Sequence, residues 1–228
     1  MELLNASFSK KIFIPYMQSE KFYNKWKDRV VVSGNPVRKE FLNSLAQEAK
    51  DWLNYQGDKP ILLVIGGSLG AQSINELVLT HLDQLCRDYF VVHQMGQEGY
   101  IASNRENYRS YPYIHQELAG IMRASSLALS RAGAGSLWEL AFSLTPMVLL
   151  PLKIGSRGDQ LRNGAIFEKM GLAMVLDEEN LTSQRLTDTL KWMGPMGDGG
   201  KKAAQLLSKE PLPNAVEIIM ENLGEELT

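Results

Sequence analysis

"ILLVIGGSLGAQSINELV", Ile61 to Val78, sets five apolar residues against a glycine-rich turn and then a helical pattern. The apolar run does not alternate with polar residues. A strand covered on both faces reads this way, as in a parallel sheet flanked by helices. Ile74, Leu77, Val78, Leu82 and Leu85 then fall on one helical face. Similar apolar runs stand at Lys11–Tyr16, Arg29–Ser33, Tyr89–His93, Leu127–Ser130, Met147–Leu150 and Ala173–Leu176. Between them, Leu42, Leu45, Ala46, Ala49 and Leu53 share a second helical face, and Glu20–Trp26 reads as a short helix. Strand alternating with helix predicts a doubly wound parallel α/β sheet. Such sheets take ligands outside the carboxyl ends of their strands. The loops after Ile65, His93, Ser130 and Leu150 are the places to look for chemistry.

Bulk properties exclude several classes of function. The 228 residues carry 24 Lys and Arg against 26 Asp and Glu, a net charge of -2. No strong field recruits nucleic acid or an anionic membrane. Three His and one Cys supply neither a disulfide framework nor an obvious metal cluster, which fits a reducing cytosol. The longest apolar stretch, Leu137 to Leu152, is interrupted by Glu139, Thr145 and Pro146, so it predicts no transmembrane segment. "MELLNASFSKK" at the start has no signal-peptide core. The expectation is a soluble cytoplasmic chain. "MGPMGDGGKK" (193–202) reads as a surface turn between helices.

Four stretches at the ends of these strands carry the chemistry, each with a plainer alternative. In "GGSLG" (66–70), Gly66, Gly67 and Gly70 permit close backbone approach, and the helix start that follows suits an anion. An ordinary tight turn reads equally well. "SRAGAGSLWE" (130–139) repeats the arrangement: diphosphate or a sugar hydroxyl can approach the Ala134, Gly135 and Ser136 amides, and Glu139 can accept from the two hydroxyls of a ribose. Ser136-x-x-Glu139 is also a capping box, locally the simpler reading. Asp159, Gln160 and Asn163 stand near a helix start in "SRGDQLRNGA" (156–165) and suit sugar hydroxyls, although the position of Asp159 favours a simple cap of that helix. Arg38, after "GNPV", can grip phosphate through its fork or lie at the surface. His81 and His93 have no evident nucleophile and acid beside them, so no triad is assigned.

The order of these stretches, GNPVR, GGSLGA, YPYI, SRAGAGSLWE and SRGDQLRNGA, resembles that of the MurG-type N-acetylglucosaminyltransferases over residues 11–223. The resemblance implies the C-terminal domain of a two-domain GT-B glycosyltransferase, a Rossmann-like fold that holds the donor UDP-N-acetylglucosamine. It implies that the Ile114 backbone reads the uracil edge, Glu139 holds the ribose, and the Ala134–Ser136 amides meet diphosphate or sugar. Asp159 and Gln160 would hold sugar hydroxyls, with Asn163 beside them, and Arg38 and Ser68 would lie near the phosphates. The family often has an amide where Asp159 stands and a bulkier residue where Gly135 stands.

The implied reaction is inverting transfer of N-acetylglucosamine to lipid I, giving lipid II at the cytoplasmic membrane face during peptidoglycan synthesis, with no required metal or cofactor. Inversion needs a base at the acceptor hydroxyl. The family's glycine-rich, histidine-containing acceptor loop has no match here, so no base is assigned. Residues 1–33 are expected to be the tail of an acceptor domain, 34–210 the donor domain, and 211–228 a helix packing back toward the acceptor domain. The chain alone is expected to be inactive, needing that domain or a partner chain to bring the lipid. An exposed apolar face is expected at Phe13, Tyr16, Ile218 and Ile219. The alternatives are a non-catalytic nucleotide-sugar-binding subunit and another UDP-sugar enzyme of this fold.

Overall fold

The structure, a computed structural model, describes residues 2–66, 72–103, 105–154, 158–209, 212 and 214–224. The chain divides into a unit of residues 1–37 with 212–228 and a larger unit of residues 38–211. In the smaller unit, α1 (Glu2–Phe8) precedes two short parallel strands, β1 (Ile12–Ile14) and β2 (Val30–Val32), and α11 (Ala215–Gly224) closes the chain. Tight 3-10 turns over Met17–Arg29 join the strands where an α-helix over Glu20–Trp26 is expected; Tyr23 and Trp26 leave helical geometry there. Phe13, Tyr16, Ile218 and Ile219 are half-buried. Among the described residues, the exposed large apolar ones of this unit are instead Phe8, Met17, Phe22, Val216, Met220 and Leu223.

The larger unit is a six-stranded, wholly parallel sheet. Along the chain come α2 (Glu40–Asn43), α3 (Ala46–Trp52), β3 (Ile61–Ile65), α4 (Gln72–Thr80), α5 (Leu82–Asp88), β4 (Phe90–Gln94) and β5 (Tyr108–Tyr111). They are followed by α6 (Leu118–Ala124), β6 (Leu127–Ser130), α7 (Ala134–Phe142), β7 (Met147–Leu149), α8 (Asp159–Lys169), β8 (Ala173–Val175), α9 (Ser183–Met193) and α10 (Asp198–Lys209). The strands lie in the order β5-β4-β3-β6-β7-β8, so the sheet grows outward in both directions from the β3–β6 pair. That is the doubly wound order, and the point where it reverses is the ligand crevice of such sheets.

Every residue of β3, β4 and β6 is buried, which is why their sequences do not alternate. Leu62 and Val64 pack with Ile74, Val78, Leu127, Leu129 and Leu190 on one side of the sheet, while Leu63, pointing the other way, is equally buried. Each such side chain stabilises the fold by about 1.5–3 kcal/mol. Helices α3, α6, α7 and α8 pack on one another in turn, and α9 lies on β7 and β8 under α10.

Three expectations are corrected. β5 was not anticipated, because YRSY is an edge strand with only Tyr108 fully buried. The helical face from Leu42 to Leu53 is broken at extended Ser44 and Leu45, which leaves Leu42 and Leu45 exposed and only Ala49 and Leu53 buried. The 193–202 stretch turns only between Met193 and Asp198. Gly199 and Gly200 are buried in α10, where a Cβ on Gly200 would stand 2.2 Å from the Met193 and Gly194 carbonyl oxygens.

Candidate functional site

Ile65 and Ser130 pair at the carboxyl edge of the sheet, where the strand order reverses. The glycine-rich turn starts at Gly66; Gly67, Ser68 and Gly70 lie outside the described residues. Immediately after β6 the chain buries a cation. Arg131 donates from Nη1 to the Leu150 carbonyl (2.6 Å) and to Glu178 Oε2 (2.8 Å). Its Nη2 reaches Ser73 Oγ (2.5 Å) and Glu178 Oε1 (3.2 Å). One guanidinium therefore ties its own loop to the start of α4, the loop after β7 and the turn after β8. Sequence reading missed it. A charged residue directly after the buried run LALS was the available signal, because a buried Arg needs partners.

The next loop opens α7 without any side-chain cap. Its N-cap is Gly133, and Ser136 lies inside the helix. The capping-box reading of Ser136 and Glu139 is overturned on that account: the helix starts three residues too early for it. The backbone amides of Ala134, Gly135 and Ser136 occupy the first turn, where intrahelical acceptors are lacking. A Cβ at Gly133 or Gly135 would meet nothing within 4 Å. These glycines relieve no clash within the protein; they leave open space over a row of N–H donors.

Glu139 turns to Arg38 instead. Arg38 Nε donates to Oε1 at 2.7 Å and Nη2 to Oε2 at 3.1 Å, a two-pronged contact between residues 101 positions apart. Arg38 is about half exposed and Glu139 mostly buried, at 46% and 12% of the side chain. The Arg38 guanidinium also lies 5.3 Å from the centre of the buried Phe41 ring. Its hydrogen bond to Glu139 raises its pKa, so it is charged at every relevant pH.

Helix α8 starts from Gly158, whose left-handed backbone (φ 76°) serves as N-cap, so Asp159 does not cap the helix. Asp159 forms an exposed ion pair with Arg162. Gln160 Oε1 accepts from the Leu152 N–H at 2.9 Å, and Asn163 Nδ2 donates to the Ala132 carbonyl at 3.2 Å. Each contact engages one end of its amide. Gln160 is left with its NH₂ and Asn163 with its carbonyl, a donor and an acceptor one helical turn apart, as hydroxyl recognition requires.

Ile114 is buried, and its N–H donates to Gln94 Oε1 at 2.8 Å. Gln94, the last residue of β4 and itself buried, was not anticipated. Beside it, Asn75 turns its NH₂ to the Met95 carbonyl (2.8 Å), which leaves Oδ1 to accept from His93 Nε2 (2.9 Å). Tyr108 Oη then donates to Nδ1 (3.0 Å). The ring is neutral, and burial pushes its pKa down to about 4. His93 is a satisfied framework residue. His81 does contact a serine, Ser183 Oγ at 2.7 Å, but a backbone carbonyl holds its other nitrogen. That pair has no carboxylate to complete a triad.

Arg38, Ala134, Gly135, Ser136 and Glu139 thus share the α7 region, and Gln160 and Asn163 of α8 are tied by hydrogen bonds to the loops after β7 and β6. Residues 61–216 match the glycosyltransferase family 28 C-terminal domain. The chain is 35% identical, over 96% of its length, to UDP-N-acetylglucosamine--N-acetylmuramyl-(pentapeptide) pyrophosphoryl-undecaprenol N-acetylglucosamine transferase 2 of Bacillus cereus, and spans 61% of that protein. In fold it is similar to MurG of Acinetobacter baumannii, with a TM-score of 0.62 at 23% identity over 87% of this chain and 58% of that one. It is similar too to the UDP-GlcNAc 2-epimerase of Neisseria meningitidis, with a TM-score of 0.64 at 16% identity over 98% of this chain and 63% of that one.

Proposed function

The chain belongs to glycosyltransferase family 28, and we propose that its larger unit holds UDP-N-acetylglucosamine as donor for N-acetylglucosamine transfer to lipid I, giving lipid II. The observation that carries this reading is the uncapped start of α7: free amides under open space, flanked by a carboxylate and an arginine. In this reading those amides meet the diphosphate, where the helix dipole favours negative charge. Glu139 accepts from the ribose hydroxyls, Arg38 moves to the phosphates, and the carbonyl of Ile114, whose N–H is held by Gln94, meets the uracil edge. Asp159, Gln160 and Asn163 hold the sugar.

The domain's part in the reaction is to fix the anomeric carbon and to stabilise the departing diphosphate with N–H groups and a cation. No metal is needed in that account. The base that deprotonates the acceptor hydroxyl, and the lipid itself, would come from outside the residues assigned here, at the cytoplasmic face of the membrane. Among the described residues no helix is long and apolar enough to span a bilayer, so attachment would be peripheral.

Calorimetric titration with UDP, UDP-N-acetylglucosamine and ADP tests the reading. The two uridine nucleotides should bind and ADP should not. Equal affinity for ADP would sink it.

A further inference from the structure

We propose that the Arg38–Glu139 pair is an exchangeable latch through which the site selects nucleotides over nucleosides. The proposal rests on the nucleotide-sugar reading above and adds a mechanism of discrimination to it. Glu139 offers both carboxylate oxygens to the Arg38 fork, at 2.7 and 3.1 Å. Two vicinal ribose hydroxyls donating to both oxygens require the same edge of the carboxylate. Sugar and arginine therefore compete for Glu139.

A ligand can release the carboxylate only by breaking the pair, which leaves a guanidinium in need of an anion. A nucleoside has none to offer. A nucleotide does, because its phosphates arrive with its ribose. Charge neutrality is thus kept throughout an exchange with UDP and lost in an exchange with uridine. The exposures suit the role. The carboxylate sits in a mostly buried seat, while the arginine, half in water, can leave. Arg38 stays close by, resting over the Phe41 ring.

The test is Arg38→Met, titrated with uridine and with UDP alongside the unaltered chain. Removing the latch should tighten uridine about twofold to fivefold, the scale of a partly exposed ion pair. The same change should weaken UDP about tenfold or more, since its phosphates lose a charged donor. Opposite signs for the two ligands are the signature. Uridine affinity that is unchanged or lower overturns the latch, and so does unchanged UDP affinity. Salt gives a second reading without mutation: in the unaltered chain, raising ionic strength should narrow the preference for UDP while uridine binding holds or improves. A parallel loss of both ligands overturns the exchange. If the unaltered chain binds neither ligand, the nucleotide-site reading falls and takes the latch with it; if it binds both and only the signs disagree, the latch alone falls.

Discussion

Two arginine–glutamate pairs stand near one edge of one sheet and are built in opposite ways. Arg131 is 3% exposed and its partner Glu178 29%, with two further hydrogen bonds to Leu150 and Ser73. Arg38 is 46% exposed over Glu139, with no side-chain hydrogen bond beyond that carboxylate among the described residues. A buried ion pair is held by the cost of leaving either charge unpaired, whereas an exposed one is nearly balanced by water. The first belongs to the framework. The second is free to change partners.

The largest expected effect follows from that difference. Arg131→Met should destabilise the fold by roughly 3–5 kcal/mol, because a buried donor is lost to Glu178, the Leu150 carbonyl and Ser73 at once. Arg38→Met should change stability by about 1 kcal/mol or less. Denaturant unfolding of both variants decides, and equal losses would erase the distinction. Replacing Glu178 by Leu together with Arg131→Met should recover part of the larger loss.

The framework side should also show itself in pH. Unfolded His93 titrates near 6.5 and folded His93 near 4. Above pH 6.5 both states are neutral there and stability is unaffected. As pH falls toward 4 only the unfolded chain takes up the proton, so stability declines by up to about 3 kcal/mol and then levels. Unfolding free energies between pH 7 and 4 for the unaltered chain and His93→Gln check this: the variant should lose that part of the slope.

On the exchangeable side, Glu139→Gln should weaken UDP and UDP-N-acetylglucosamine together by roughly tenfold, with stability nearly unchanged. Equal affinity in calorimetry would leave Glu139 a partner of Arg38 and nothing more. The smallest effect is expected at Gln160 of α8. Gln160→Ala should weaken the sugar nucleotide by about threefold, the scale of one neutral hydrogen bond, and Asp159→Ala by about tenfold, its carboxylate being charged but exposed; both should leave UDP alone. A matching loss for UDP would move those residues away from the sugar.

The strands of the sheet interior were legible because burial on both faces writes itself as an unbroken apolar run. β5 was not, since an edge strand spares only Tyr108 from solvent. Helix breaks at Ser44 and His81 leave the apolar spacing intact, so periodicity ran through them. At the site, residue type near a strand end was readable and pairing was not. Arg38 meets Glu139 across 101 positions, and Ser136-x-x-Glu139 imitates a cap that the helix start at Ala134 rules out. Arg131 and Gln94 act through backbone groups that no motif records.

The strand order also sets a timetable. Leu62 pairs with Leu127, roughly 65 residues later, which a ribosome adding about 5–20 residues per second takes roughly 3 to 13 s to supply. Until then Ile61–Ile65, five apolar residues without a charge, can pair only on its β4 side. The middle of the finished sheet is, during synthesis, an open edge of the kind that aggregates. Nascent chains stalled before Leu127 should accordingly be caught by chaperones or cleaved by protease, and those stalled well beyond Leu150 should resist cleavage.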